Sequence, residues 1–318
     1  MENKTKKRRI LSASRLKTFL SCSWVYYCEY ILKIPSATHP KTKIGSLAHT
    51  IFEVLQNPRH KKHYDAIMNT EKRSIYNSKA ITRLVEITLK RNPDITEKIS
   101  NDLDSLVIVG LDNDFFLDNA VEKIEPEREF LMDIDGMLVR GFIDMMGIYE
   151  NHVKIRDYKS QGKLFTKDEM ENNIQAGIYQ LYANREFKKP AEVEFVMLRH
   201  APTKKNPTKH LQVVEPYTEA ELEGVILYLK YLDSKIQNFD LDTAKSCLKA
   251  SSGDTGFCNY VCGFKDPMTY YVKLDKDGEI VESSKEKIEE KEGFTVKKME
   301  YKGCPFFYND NGERRNFK

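Results

Sequence analysis

Between Glu125 and Lys159 the sequence alternates short apolar runs with tight-turn residues, and no other stretch constrains the fold as strongly. Glu129-Phe-Leu-Met-Asp-Ile-Asp-Gly136, Met137 to Tyr149 and His152 to Lys159 read as three strands. Asp135-Gly136 is a hairpin signal and Glu150-Asn151 a looser one, so the expected product is an antiparallel meander. Asp144 ends the apolar run Gly141-Phe-Ile-Asp144, and Asp157 follows on the next strand in Asp157-Tyr-Lys159. A tight connection brings the two carboxylates together, and residues two apart on a strand share a face, so Asp157 and Lys159 point the same way. Two carboxylates supply hard oxygen ligands for Mg²⁺. A nearby ammonium can orient or help deprotonate an attacking water while countering phosphate charge.

Around this meander the periodicity turns helical. Ser12-Ala-Ser14 is a hydroxyl cap before Leu16, Phe19 and Leu20, predicting a helix over about residues 14 to 33. Leu47, Ile51 and Leu55 recur every four residues and predict a second, from Gly45 to Leu55, that carries His49. Residues 60 to 120 read as mostly helical and polar, without a chemical motif. Thr166-Lys-Asp-Glu169 has capping-box spacing before a helix whose buried face is Ile174, Ile178 and Leu181, and Gln175 and Tyr179 share another face of it. Strands at Glu192 to Leu198 and Leu211 to Val214, then a helix from Thr218 to about Asn238, complete an α/β pattern of a mixed sheet flanked by helices. Beyond Cys247 the chain becomes turn-rich and cysteine-bearing, with a charged excursion over 275 to 300.

Composition removes whole classes. Of 318 residues, 40% are apolar and 31% charged, which excludes wholesale disorder and a multispanning membrane protein; no apolar run is long enough to span a bilayer. The start lacks an apolar segment behind its charges, so no secretory signal is expected, and the default compartment is cytoplasmic. The net charge of +3 leaves nucleic-acid binding to local patches. One is Lys4, Lys6, Lys7, Arg8 and Arg9; another is Arg199, His200, Lys204, Lys205, Lys209 and His210 around a turn, of which Lys204, Lys205 and Lys209 are the candidate DNA contacts. Six cysteines in a chain this long suit a reducing compartment, as thiols or metal ligands.

Taken in order, Ser12-Ala-Ser14…Cys22, Gly45…His49, Gly141-Phe-Ile-Asp144, Asp157-Tyr-Lys159, Gln175…Tyr179 and the late cysteines resemble the RecB-like branch of the PD-(D/E)xK nucleases. That branch includes CRISPR-associated adaptation exonucleases and phage recombination nucleases. The resemblance implies a restriction-endonuclease-like core over 121–245, N-terminal helices over 1–56, a helical insertion over 57–120 and a cysteine-bearing region over 246–318. It implies His49, Asp144 and Asp157 as ligands of Mg²⁺ or Mn²⁺, Lys159 as the catalytic lysine, and Gln175 with Tyr179 as the accompanying helix motif. Glu129 is favoured as an additional acidic residue over Glu125 and Glu127, because Phe130-Leu131-Met132 marks its strand. The implied activity is metal-dependent DNA hydrolysis, an exonuclease acting on single-stranded ends in recombination, repair or replication. The alternative is a nucleic-acid-binding or assembly subunit of a recombination or CRISPR-adaptation complex, with incidental nuclease activity. No P-loop is present, so unwinding would need a helicase or recombination partner.

In iron-sulfur members of the branch, one early cysteine joins three late ones around a [4Fe-4S] cluster. Cys22 matches the first position and Cys258-Asn-Tyr-Val-Cys262 the next pair, with three intervening residues where the family usually has two. The fourth ligand is then Cys304 or Cys247, with Cys28 a substitute for Cys22. Zn²⁺ on the same thiolates and ordinary thiols are the other readings.

Overall fold

A computed structural model describes residues 10–36, 40–112, 114–246, 248 and 256–315. The basic cluster at positions 4 to 9 and Cys247 therefore lie outside the described residues. The chain forms two compact units, one from the residues through Ala13 with Pro40–Tyr231, the other from Ser14–His39 with Leu232–Lys318. Each draws on separate stretches of sequence, whereas the sequence reading divides the chain into four consecutive blocks.

The first unit is built on a six-stranded mixed sheet. Strand β1 (Ile10–Leu11) lies parallel to β3 (Met137–Ile148). Strand β2 (Lys123–Ile134) pairs antiparallel with β3 through Asp135 and Gly136, both at positive φ, as a two-residue hairpin turn requires. Strand β4 (Val153–Lys159) is antiparallel to β3 and parallel to β5 (Ala191–Met197), which pairs antiparallel with β6 (Leu211–Val214). Across the parallel β4–β5 ladder Arg156 Nε donates to Glu194 Oε2 at 2.5 Å, and both residues are buried.

Helices α3 (Pro40–Gln56), α4 (Lys61–Met68), α5 (Lys79–Arg91), α6 (Glu97–Ser100) and α7 (Asp102–Leu111) cover this sheet. Ile51, Phe52, Ile81, Val85, Leu106 and Val107 share one core with Tyr158, Val196 and Leu198 of the sheet strands and the residue beyond β5. The helical stretch after residue 57 is thus part of the packed core. Gly110 permits a close approach: a Cβ there would fall 2.2 Å from the Phe52 ring. Thr166 forms the expected capping box, but on the short α8 (Lys167–Glu171); a separate helix, α9 (Ile174–Phe187), starts under its own cap, with Asn173 accepting from the Gln175 and Ala176 amides.

In the second unit the single helix expected over 14 to 33 is broken. α1 (Ala13–Ser21) ends at Cys22, whose backbone is extended, and α2 (Ser23–Tyr26) runs into a π-helical turn at Tyr27–Ile31. The charged excursion, left unassigned by its sequence, contributes to a three-stranded antiparallel sheet in which β7 (Met268–Leu274) lies between β8 (Ile280–Ser284) and β9 (Thr295–Tyr301). Trp24, Cys28, Phe264, Tyr270, Tyr301 and Phe307 pack together there. Trp24 Nε1 donates to the Tyr301 hydroxyl at 2.6 Å, and that hydroxyl donates to the Phe264 carbonyl at 2.7 Å.

Candidate metal centre

Three elements of the first unit converge on one point. His49 on α3, Glu127 on β2 and Asp144 on β3 each offer a ligand atom, and the three atoms lie within 4.8 Å of one another. His49 Nδ1 is 3.2 Å from Asp144 Oδ1, while Asp144 Oδ2 accepts from the Tyr158 amide at 2.7 Å. The β3–β4 register, extended by one residue beyond Met145 and Arg156, sets Asp157 opposite Asp144.

Asp157 is buried and closely held. Gln175 Nε2 donates to its Oδ1 at 2.8 Å, and Lys159 Nζ lies 2.6 Å from its Oδ2. Lys159 Nζ also donates to Gln175 Oε1 at 2.7 Å, so one amide links the lysine and the carboxylate. The Tyr179 hydroxyl accepts from Gln175 at 2.7 Å and shares its one proton between the Phe142 carbonyl, at 2.6 Å, and Asp157 Oδ1, at 3.0 Å. Sequence spacing put Gln175 and Tyr179 on one face of a helix, and the structure brings both to the carboxylate.

The electrostatics are those of crowded anions. Burial raises the Asp157 carboxyl above its ordinary range against the opposing pull of Lys159. Glu127 is pushed up to about 7, first by burial and then by Asp144 and Glu53. Burial alone would lower the His49 imidazole, but the hydrogen bond and charge of Asp144 hold it above its usual value. Burial also raises the Tyr179 phenol, with Asp157 and Asp144 adding to the effect. A cation placed among these groups would relieve the repulsion.

An open cavity adjoins the trio, walled by Thr42, Ser46, Thr50 and Glu53 from one face of α3 and by Ser160 after β4. Gly45 allows that approach, because a Cβ would meet Ser160 Oγ at 2.5 Å.

Glu129, favoured on sequence, is not brought to the trio; Glu127 is. Glu129 is exposed, pairs with Phe142 in the ladder and makes an ion pair with Arg140 Nε at 2.9 Å. The hairpin itself carries the signal that finds the other residue. A two-residue turn at Asp135-Gly136 pairs Ile134 with Met137, and counting back along both strands sets Glu127 opposite Asp144. The positive φ of Glu127 interrupts the ladder at that position.

Lys204, Lys205 and Lys209 occupy an exposed turn between β5 and β6. Two members of the wider basic cluster are already committed. His210 is buried, and Arg199 donates to the Ser160 carbonyl at 2.9 Å and to Asp102 at 2.8 Å.

In the second unit Cys22, Cys258 and Cys304 are buried within one cluster and Cys262 packs against it, as does the fully buried Cys28, whose thiol lies 3.7 Å from the Tyr301 hydroxyl. Burial pushes the Cys262 and Cys304 thiols up to about 11, opposed by hydrogen bonds from the Phe264 amide to Cys262 and from the Phe306 and Phe307 amides to Cys304.

Comparison with known proteins adds a family. The crystal structure of SSO0001 is 12% identical and covers 82% of this chain and 90% of its own, with a TM-score of 0.31. The crystal structure of protein VC1899 from Vibrio cholerae is also 12% identical, covering 74% of this chain and 58% of its own at a TM-score of 0.21. No curated protein sequence matches. Among the described residues no helix is long and apolar enough to cross a membrane. The family model for the PD-(D/E)XK nuclease superfamily matches residues 10–266, a span that contains the whole His49, Glu127, Asp144, Asp157 and Lys159 constellation, and the chain belongs to that superfamily.

Proposed function

We propose that the chain is a deoxyribonuclease of the RecB-like branch, an exonuclease using Mg²⁺ or Mn²⁺ on single-stranded DNA ends in recombination, repair or replication. Superfamily membership supports phosphodiester hydrolysis with a divalent metal. The observation that carries the reading to particular atoms is the linked set Lys159, Gln175, Asp157 and Tyr179 beside the His49, Glu127 and Asp144 trio. The donor set, carboxylates with one imidazole, fits Mg²⁺ or Mn²⁺. Asp157 Oδ2 is buried, and the Lys159 ammonium 2.6 Å away is the cation it now meets.

His49, Glu127, Asp144 and Asp157 would hold the ion, which would polarise the scissile phosphate and lower the pKa of bound water. Lys159, steadied by Gln175, positions the water for in-line attack and balances charge building on the phosphate, leaving a 5′-phosphate and a 3′-hydroxyl. Gln175 fixes Asp157 and Lys159 in one geometry, and Tyr179 ties Asp157 to the β3 backbone.

Cys22, Cys258, Cys262 and Cys304 hold a [4Fe-4S] cluster in this reading. Their collection into one buried cluster supports it, as do the amide donors to Cys262 and Cys304, since hydrogen bonds to sulfur favour the thiolate form that ligates a metal. Its role is structural, joining residues from both ends of the chain, because ligation of this kind is folding free energy. Brown protein with an absorption shoulder at about 400 nm and bound iron is expected. Colourless protein with one zinc per chain would replace the cluster by Zn²⁺.

The nuclease reading is tested with end-labelled oligonucleotides in Mg²⁺, Mn²⁺ or EDTA. Stepwise shortening of single strands is expected with metal, none in EDTA, and none by Lys159→Met. Cleavage that persists in EDTA or in Lys159→Met would overturn it.

A further inference from the structure

The β2–β3 hairpin carries a row of side chains from the metal trio out to solvent. Its register pairs Glu129 with Phe142 and Leu131 with Arg140, and continued inward it sets Glu127 opposite Asp144. Opposed residues and residues two apart share one face of a sheet, and the other face, with Phe130, Met132 and Ile143, is buried. Three rows therefore step outward from the site by about 7 Å each: Glu127 with Asp144, then Glu129 with Phe142, then Leu131 with Arg140.

The middle and outer rows are unusual for a surface. Phe142 is 52% exposed and Leu131 55%, so two large apolar side chains face water beside a cluster of carboxylates. The Arg140 guanidinium lies 6.0 Å from the Phe142 ring centroid and is ion-paired with Glu129. The backbone under the ring is fixed by the hydroxyl that also touches Asp157, because Tyr179 reaches the Phe142 carbonyl. The position of the ring is thus mechanically tied to the site.

We infer that Phe142 is a stacking platform for the base of the nucleotide next to the scissile phosphate, with Arg140 meeting the backbone one step further out. The inference rests on reading the trio as the nuclease centre. Continuity selects a nucleic-acid strand as occupant: a phosphodiester placed at Asp144 has its neighbouring nucleotide within reach of a ring two residues away on the same face. An exposed ring flanked by a guanidinium is the surface on which unpaired bases stack. Stacking needs a π-face and no particular edge, so recognition at this step ignores base identity but requires that a base be present and unpaired.

The test pairs a protein change with a substrate change. Single-stranded oligonucleotides are prepared with an ordinary or an abasic nucleotide next to the first scissile bond. Binding is read by fluorescence anisotropy in Ca²⁺ and cleavage by steady-state kinetics in Mn²⁺. Phe142→Leu should weaken binding and raise KM about 10-fold, the loss of one stacked base, with a much smaller change in kcat. Phe142→Trp should restore binding. Wild-type protein on the abasic substrate should show the same loss, and Phe142→Leu on that substrate no further loss. Equal binding by wild type and Phe142→Leu, or independent additive losses, overturns the inference even where wild type cleaves normally. Absence of cleavage by wild type would instead sink the nuclease reading, and the binding arm still decides the stacking.

Discussion

Replacing Glu127 by Gln should move stability and metal affinity in opposite directions. In the metal-free protein Glu127 and Asp144 face each other across the hairpin, and burial together with Asp144 and Glu53 pushes the Glu127 carboxyl up to about 7. An acid whose pKa rises on folding destabilises the folded chain once the pH exceeds its unfolded value, and the penalty is complete above the folded value. A displacement of this size would cost about 3 kcal/mol in a dry site. The Glu127 carboxylate is partly open to water, and screening reduces the figure to about 1 kcal/mol. At pH 8 in EDTA, Glu127→Gln should therefore raise Tm by about 2–4 °C. The same change removes one anionic ligand, and Mn²⁺ affinity by calorimetry should fall at least about 10-fold. Glu129→Gln provides the contrast, because its carboxylate is exposed and paired with Arg140; Tm should change by less than about 0.5 kcal/mol equivalent and Mn²⁺ affinity should hold. Unchanged Mn²⁺ affinity in Glu127→Gln, or a matching loss in Glu129→Gln, would refute the assignment.

Gln175→Leu should lower cleavage by about 10- to 100-fold with little change in Tm, since it releases Lys159 and Asp157 from their shared amide, as single-turnover rates would show. Arg156→Met removes the buried partner of Glu194, leaving it only Lys154 at 3.7 Å, and should cost about 3 kcal/mol in denaturant unfolding; adding Glu194→Leu should recover much of the loss. Changing Lys204, Lys205 and Lys209 together to Ser should reduce the slope of log affinity against log salt by about 2 for single-stranded DNA. An unchanged slope would mean that the strand runs elsewhere.

The central strands were legible because β-periodicity and hairpin chemistry agree there. Asp144 and Asp157 fall on adjacent strands because Glu150-Asn151 closes a turn, and Lys159 shares a face with Asp157 by the period of two. Helical spacing put Gln175 and Tyr179 on one face, while their place beside the carboxylates was what the resemblance implied. Glu127 was ranked below Glu129 because strand placement was judged from local apolarity at Phe130 to Met132, whereas the register fixed by Asp135-Gly136 decides which acid opposes Asp144. The break at Cys22 was hidden for a different reason: the flanking apolar residues keep a helical period while the backbone at Cys22 is extended. The small sheet of β7 to β9 was obscured by composition. Its outer strands bury only Tyr301 between them, so the alternation that identifies a half-buried strand is absent.

The most direct test of the metal centre is an anomalous difference map from crystals soaked in Mn²⁺, collected at the manganese edge. The arrangement of His49, Glu127, Asp144 and Asp157 calls for a strong peak bounded by these four side chains, and for its loss in Asp144→Ala. Manganese bound elsewhere on the chain, with these side chains left hydrogen-bonded only to one another, would contradict the claim that they form the catalytic metal site.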